Sequence, residues 1–317
     1  MNMPSLTTVC FARIPANVLS AFLLSAFFCC ESCATDTESQ TSETVQETLE
    51  SDDTHKTPDT SSDTSDIHDI HESQTESDAA GNTSVENTYT RLCDDGATTI
   101  LENGGKLQNN VWGYISSPFT NYTQCVFYDT VQEGVFGWEW NLTGESEYPS
   151  YPRIGFGWNP WDRESATDVL PRHLQSLSSL VVSFEMESEA DGFYNTAFDI
   201  WLTSPDTDYS DKIVGEIMVW IDATQAQAAG LTAEDIPINS ETYDFYKNTT
   251  WNEFPYLAFV QKSDHWSGQI DFMPFISYLV ENGHLSQSTV IAEIEFGNEI
   301  WSGSGKMVVK NFSVSVQ

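Results

Sequence analysis

The chain has 317 residues, with 48 Asp and Glu against 12 Lys and Arg, and its formal net charge is −36. A chain this acidic is not expected to bind nucleic acid or an anionic membrane surface, so its partner should be neutral or cationic. The length allows one large domain or two small ones.

The first 34 residues are typical of an export signal. Arg13 is the only early positive side chain, and the apolar stretch from Val18 to Phe28 is too short to span a bilayer stably. Cleavage near Cys33 would release a soluble protein, whereas lipidation of one of the cysteines after the apolar stretch would give a lipid tether. The residues before each cysteine match a lipidation motif poorly. Both routes predict a secreted or cell-surface protein, and the signal region is typical of bacteria.

Residues 35–88 are predicted to form an acidic, disordered linker. The segment is rich in Ser, Thr, Asp and Glu, has Lys56 as its only Lys or Arg, and contains no Phe, Tyr or Trp before Tyr89. Such a composition cannot bury enough apolar surface to offset the entropy of the chain. A spacer that holds the next domain away from a surface and plain filler fit this composition equally well.

From Tyr89 onward the sequence predicts strands almost throughout. Short runs rich in β-branched and aromatic residues alternate with Gly, Pro, Asn and Asp clusters. The clearest runs are Leu180 to Met186, Thr196 to Thr203, Ile213 to Ile221, Tyr256 to Lys262, Val290 to Phe296 and Met307 to Val316.

One segment breaks this pattern. Asp271 to Glu281 has apolar residues at helical spacing, Pro274 falls in its first turn, and Asn282 and Gly283 follow as a stop signal. We therefore predict a single all-β sandwich domain over residues 89–317 that has one substantial helix and acts as a monomer.

The six cysteines fall into two groups. Four belong to the signal region, and only Cys93 and Cys125 remain in the folded part. Two cysteines in an exported domain most simply pair with each other, so we expect a disulfide between them.

Strand alternation predicts a polar working face. Side chains of the same parity as Glu216 include Met218 and Trp220, whereas the other parity of this strand is aliphatic. The run that ends at Thr203 likewise places Asn195 and Asp199 on one side. A charged group in such company is costly unless the face is wet or used. Carboxylates, amides and indoles together are the groups that bind sugar chains.

All ten Trp residues lie between Trp112 and Trp301. Indoles can stack on the apolar faces of pyranose rings, but Trp is also highly buried on average, so for any single one a core position is an equally good interpretation. Trp138 and Trp140 share one side of a predicted strand, which favours them as a stacking pair. Further candidates are Trp112, Trp158 and Trp161.

Glycoside hydrolysis commonly uses two carboxyl groups, and the distance between them decides between retention and inversion at the anomeric carbon. The chain has too many acids for spacing to select the pair, because Glu293, Glu295 and Glu299 share parity. A lone Glu in a strand is more often a solvated outward residue. The residues alone therefore leave the choice open.

Five motifs in sequence order resemble those of glycoside hydrolase family 12, and together they cover essentially all of residues 89–317. The nucleophile strand of that family resembles the run from Glu216 to Trp220, and its acid/base segment resembles Phe296 to Gly303. The remaining three similarities are at Asn109 to Gly113, which resembles an early strand, at Tyr151 to Trp161, and at Ala197 to Leu202.

The resemblance implies a curved β-jelly roll with an open substrate groove and a retaining endo-β-1,4-glucanase that needs no metal or cofactor. It implies that Glu216 is the nucleophile, that Glu299 is the acid/base, and that Asp199 hydrogen-bonds to the nucleophile. The substrate would be a β-glucan such as cellulose, mixed-linkage glucan or xyloglucan. Residues implied or suggested for substrate binding are Asn195, Met218, Trp112, Trp220, Trp138 and Trp140.

Three other functions would each explain part of the sequence. A non-catalytic β-glucan-binding sandwich would explain the strands and the Trp residues, but not carboxylates at both motif positions. The related jelly-roll xylanases have two Glu residues, but the strand with Asp199 is more similar to family 12. A purely structural surface protein would account for the acidic linker. Asn298, where many family members have Thr or Phe, is not expected to alter the chemistry.

Overall fold

A computed structural model describes residues 88–115, 122–144, 146–205 and 212–317. The predicted export signal, and the predicted linker apart from Thr88, lie outside the described residues. Among those described, no helix is long and apolar enough to cross a membrane.

The described part of the chain confirms the all-β prediction. It contains sixteen strands, two α-helices and a 3-10 turn at Leu174–Ser176. The helices are α1 (Trp112–Ile115) and α2 (Met273–Glu281). The strands are β1 (Tyr89–Leu92), β2 (Thr98–Ile100), β3 (Lys106–Gln108), β4 (Tyr122–Asp129), β5 (Phe136–Leu142), β6 (Arg153–Asn159), β7 (Glu164–Ser165), β8 (Arg172–His173), β9 (Leu180–Thr203), β10 (Ile213–Thr224), β11 (Leu231–Ile238), β12 (Glu241–Asn248), β13 (Tyr256–Gln261), β14 (Ser267–Asp271), β15 (Val290–Gly297) and β16 (Ile300–Val316).

The strands form two layers that share β9. The first half of β9 pairs with β14 and β16, and β16 continues through β5 and β4 to β1. The second half pairs with β10 on one side and β15 on the other. From β10 this second layer continues through β13 and β12 to β11, and from β15 it continues through β6 and β3 to β2. β10 and β13 run parallel, whereas every other named strand pair among the described residues is antiparallel.

The hydrophobic core lies between the layers. On β10 the aliphatic parity, represented by Ile217 and Val219, is fully buried in it, as the alternation predicted. Phe198 on β9 stacks on Phe296 of β15, with ring centroids 4.6 Å apart. The opposite parity of β9, β10 and β15 therefore faces away from the core, and these side chains form the surface that we call the groove face.

Helix α2 confirms the predicted helical segment but begins two residues later. The Asp271 carboxylate accepts a hydrogen bond from the backbone N–H of Met273 at 3.0 Å, which satisfies a free donor at the helix start. Phe275, Ile276 and Leu279 are buried against the core. The helix ends at Glu281, and Gly283 follows with a φ of 70°, as expected for a left-handed residue after a helix.

The predicted disulfide between Cys93 and Cys125 is present and joins the end of β1 to β4. The prediction of a strand from Asn109 to Gly113 is wrong, because β3 ends at Gln108 and the one-turn helix α1 begins at Trp112. The Asn110 side chain accepts a hydrogen bond from the Trp112 N–H at 3.2 Å, a local bond that competes with strand pairing.

Candidate active site

Strand register brings the predicted catalytic carboxylates together on the groove face. Met218 of β10 lies opposite Asp199 of β9, so Glu216 is diagonal to Asp199 across the same strand pair. Both side chains have the parity that faces away from the core. A hydrogen bond joins the two carboxyl groups.

Glu299 lies in the short connection between β15 and β16 and is held by Asn195. The Asn195 side-chain N–H donates to Glu299 Oε2 at 2.5 Å, and the Glu299 backbone N–H donates to Asn195 Oδ1 at 3.0 Å. Asn195 is fully buried, whereas Glu299 keeps part of its surface exposed. The Asn195 amide therefore holds Glu299 through one carboxyl oxygen and through its backbone N–H, as a positioned catalytic group requires.

Asn298 stabilises the position of Asn195, which contacts Glu299. Its side-chain amide donates to the Asn195 backbone carbonyl and to Thr196 Oγ1, both at 2.8 Å. Its oxygen accepts a hydrogen bond from the Trp138 indole at 2.7 Å. Asn298 is fully buried, and its hydrogen bonds help to hold Asn195 in place. Its position is the one at which the sequence differs from many family members.

Both candidate catalytic groups have raised pKa values. Burial, followed by the negative charges of Glu299 and Glu295, raises the pKa of Glu216 to about 8, although the hydrogen bond from Asp199 opposes the shift. Burial raises the pKa of Glu299 to about 7 against the opposing hydrogen bond from Asn195. Ionisation of one carboxyl group opposes ionisation of the other, so near neutral pH the pair favours a single negative charge.

Asp199 is arranged to remain protonated. Only 4% of it is exposed, and its Oδ1 atom has no hydrogen-bond partner among the described residues. Burial, together with the charges of Glu216 and Glu295, raises the pKa of Asp199 well above its usual value. A protonated Asp199 can donate its O–H to Glu216, and that bond stabilises the ionised form of Glu216.

A second pair of buried acids lies beside Asp199. Glu295 of β15 is directly opposite Asp199, and Glu293 is opposite Trp201. Arg153 of β6 forms an ion pair with Glu295 in which Nε and Oε1 are 2.7 Å apart. Asn159 donates to Glu293 Oε2 at 2.6 Å and to Glu295 Oε1 at 3.0 Å. We refer to Arg153, Asn159, Glu293 and Glu295 as the acid cluster.

The acid cluster was not recognised in the sequence as a functional feature. The regular alternation of Glu293 and Glu295 signals one polar face, but their partners are more than 130 residues away along the chain. Gly155 of β6 provides the necessary room, because a Cβ atom there would lie 2.3 Å from Glu293 Oε1.

Sequence and structure comparisons now identify the family. The model of "Glycosyl hydrolase family 12" matches residues 103–317. The chain belongs to this family.

The family 12 chain is similar to Endoglucanase S from Pectobacterium parmentieri, at 28% identity over 67% of this chain and 81% of that protein. It is 29% identical to Xyloglucan-specific endo-beta-1,4-glucanase A from Emericella nidulans, over 66% of this chain and 84% of that protein. Its fold is similar to that of a family 12 xyloglucanase from Bacillus licheniformis, with a TM-score of 0.64 and 24% identity over 72% of this chain and all of the other. These likenesses confirm the jelly-roll prediction.

The floor of the groove face is apolar and well packed. Met218 and Trp220 are 2% and 3% exposed and pack with Ala197, Tyr256 and Ala258. The Trp220 indole N–H points to the Met218 sulfur at 3.4 Å. The structure thus places Met218 and Trp220 on the predicted face, where they shape the floor and present little surface.

Several other aromatic side chains of the family 12 chain remain accessible. Trp161 is 49% exposed and meets Trp201 edge-on, with ring centroids 5.3 Å apart. Trp112 is 42% exposed and lies 5.8 Å from the Tyr148 ring. Trp301 stacks on Phe193. Trp112 and Trp161 retain the exposed surface that a sugar-stacking platform requires.

Two other Trp predictions are corrected by the structure. Trp138 is fully buried and Trp140 is 4% exposed, and both lie in the core between the layers. They share their side of β5 with Phe136 and Leu142, so the parity that united the two indoles directs them inward. Trp158, near the end of β6, is half-buried, and its assignment as a stacking platform stays a prediction.

The described residues contain no group of three or more His, Cys, Asp or Glu side chains that could hold a metal ion. The hydrogen-bond partner of the Glu216 carboxyl group is Asp199, and that of the Glu299 carboxyl group is Asn195.

Proposed function

We propose that this family 12 chain is a secreted endo-β-1,4-glucanase that hydrolyses internal bonds of a β-glucan with retention of configuration. Glu216 is the nucleophile and Glu299 the acid/base. The observation that carries the proposal is the meeting, on one face, of two carboxyl groups with raised pKa values, each held by its own hydrogen-bond partner.

Retention proceeds by two displacements. In the first, a Glu216 oxygen attacks the anomeric carbon, the glycosidic C–O bond breaks, and Glu299 gives its proton to the departing oxygen. In the second, Glu299 removes a proton from water, which attacks the anomeric carbon and releases Glu216. One carboxyl group must therefore be ionised while the other is protonated, and this is the charge state that the coupled pair favours.

The pKa values of Glu216 and Glu299, about 8 and about 7, are close, so in the free enzyme either group can carry the single proton of this pair. A bound glycan favours the proton on Glu299, because the glycosidic oxygen accepts a hydrogen bond from protonated Glu299. The Asp199 O–H simultaneously favours ionised Glu216. The substrate thus completes the charge arrangement needed for attack.

The substrate is a β-1,4-linked glucan, and the named activities of the relatives support this class. Endoglucanase S and the xyloglucan-specific enzyme are both similar to this chain over more than four-fifths of their length. Cellulose, mixed-linkage β-glucan and xyloglucan all present a glucan backbone that can stack on Trp112 and Trp161.

The experiment that tests the proposal measures reducing-sugar release from carboxymethylcellulose, mixed-linkage β-glucan, xyloglucan and xylan. The wild type is expected to cleave at least one glucan and to spare xylan. Glu216→Gln and Glu299→Gln should each lose at least 1000-fold in rate, whereas the exposed control Glu102→Gln should not change it. Release from xylan alone would indicate a xylanase, and binding without any release would indicate a carbohydrate-binding protein.

Secretion is part of the proposal, and the sequence of residues 1–34 supports it. Expression of the full chain in a bacterial host should deliver the enzyme to the medium after cleavage near Cys33. Recovery in the membrane fraction, with release by the Cys33→Ser variant, would instead show a lipid tether. Activity confined to the cytoplasm would contradict export.

A further inference from the structure

The acid cluster is too deeply buried to contact a glycan. Glu295, Glu293 and Asn159 are 1%, 2% and 1% exposed, and Arg153 is 8% exposed. A buried ion pair is weak evidence for stability, because removing two charges from water costs much of what their attraction returns. Its position next to the catalytic carboxylates suggests another role.

The charges of the cluster are well defined by its contacts. Arg153 remains protonated, because burial lowers its pKa but the charges of Glu295 and Glu293 raise it by more. Glu295 is the partner of this guanidinium at 2.7 Å. Burial and the charge of Glu295 raise the pKa of Glu293 well above its usual value, so Glu293 remains neutral and shares a hydrogen bond with Glu295. The single carboxylate of the cluster is therefore Glu295.

The Glu295 carboxylate is placed nearer to Asp199 than to Glu216 by the order of the strands. Glu295 is directly opposite Asp199 on the neighbouring strand, whereas Glu216 is one strand further away. A negative charge penalises ionisation of the nearer group more strongly. The titratable and charged groups that act on Asp199 or respond to its charge are Glu216, Glu295, Glu299, Arg153, Tyr151 and Tyr256. Among them, only Arg153 favours ionised Asp199, and Glu295 outweighs it.

We propose that Glu295, anchored by Arg153, is a positioning residue that holds the shared proton on Asp199 and leaves Glu216 ionised for attack. The inference rests on the proposed function of Glu216 as the nucleophile. It assigns a role to a buried ion pair that makes no contact with the reacting atoms.

The test uses a dinitrophenyl β-cellotrioside. Glu216 attacks its anomeric carbon, the bond to the phenolic oxygen breaks, and dinitrophenolate leaves with the electron pair without needing a proton from Glu299. The low-pH limb of kcat/KM therefore reports the ionisation of Glu216. In Glu295→Gln this limb should move to lower pH by about one unit, because a like charge has been removed from the Asp199–Glu216 pair.

The plateau above the limb gives a second readout. Without the Glu295 charge, the proton shared by Asp199 and Glu216 lies on Glu216 for part of the time. The plateau value of kcat/KM should therefore fall severalfold. In an Asp199→Asn background no carboxyl proton is shared, so adding Glu295→Gln should leave the plateau unchanged. A loss of equal size in both backgrounds would show a purely structural effect and overturn the proposal.

Glu293→Gln is the matched control, because it alters the same buried cluster without changing its charge and should leave the limb in place. An unmoved limb in Glu295→Gln, or an upward shift, would contradict the inference. If Glu295→Gln does not fold, the Arg153→Gln/Glu295→Gln double variant removes both charges and should shift the limb in the same direction. A wild type that fails to cleave the trioside would refute the proposed function instead.

Discussion

The hydrogen bond from Asn195 to Glu299 gives the most direct prediction about the acid/base. Asn195→Ala removes a donor that lies 2.5 Å from Glu299 Oε2 and opposes the raised pKa of this group. A hydrogen bond to a charged group is worth about 1.5–3 kcal/mol. Since one pKa unit corresponds to about 1.4 kcal/mol, the pKa of Glu299 should rise by about one to two units.

The assay is the pH dependence of kcat/KM on a soluble glucan, where the departing oxygen needs the Glu299 proton. The high-pH limb, at which that proton is lost, should move upward by about one to two units in Asn195→Ala. The height of the plateau should fall as well, because the carboxyl group loses its anchor.

Asn298→Ala is a suitable control, because it removes a buried amide beneath Asn195 that does not contact the carboxyl group. It should lower the unfolding temperature and move the limb by less. A limb that stays fixed in Asn195→Ala, or that moves equally in both variants, would refute this reasoning.

Four further outcomes are expected. On a natural glucan the wild-type kcat/KM profile should be a bell with limbs near the pKa values of about 7 and about 8 of Glu299 and Glu216, and a broad acidic optimum would contradict this. The same two groups have folded-state pKa values above the ordinary 4.5, so their contribution to stability is complete below about pH 4.5 and declines up to about pH 8. Calorimetry should therefore show a melting temperature that falls over this range, rather than one that is flat or rising. Replacing Cys93 and Cys125 by Ala removes a disulfide that joins residues 32 positions apart in the sequence. Denaturant titration should then show a loss of about 4 kcal/mol in the free energy of unfolding, and activity at 25 °C should be retained. Trp161→Ala should raise KM for polymeric glucan several-fold with little change in kcat for the dinitrophenyl trioside, and an unchanged KM would remove Trp161 from the binding surface.

Strand alternation was sufficient to predict the face on which Glu216 and Asp199 lie. On each strand, every second side chain is apolar and buried, so the side chains between them must point to the opposite face. The same rule failed for Trp138 and Trp140. It showed that the two indoles share a side, but the packing of the other layer determines which side is the core. Phe136 and Leu142 have the same parity, and they were the local sign that this side is buried.

The acid cluster could not be predicted, because its neutralisation depends on contacts that are distant in sequence. A Glu in a strand is normally solvated, and Glu293 and Glu295 are buried only because Arg153 and Asn159 reach them from β6. The extent of β9 was also missed. Two separate runs were predicted where a single strand spans Leu180–Thr203, because the polar middle of this strand has no apolar alternation.

The central claim, that Glu216 is a covalent nucleophile, is tested most directly by trapping the intermediate. The enzyme is incubated with a dinitrophenyl 2-deoxy-2-fluoro-β-cellotrioside, and the labelled peptide is identified by mass spectrometry. The account predicts one sugar adduct per chain, bound to Glu216, and no adduct in Glu216→Gln. A label on Glu299 or Asp199, or turnover of natural glucan with release of the inverted anomer, would contradict it.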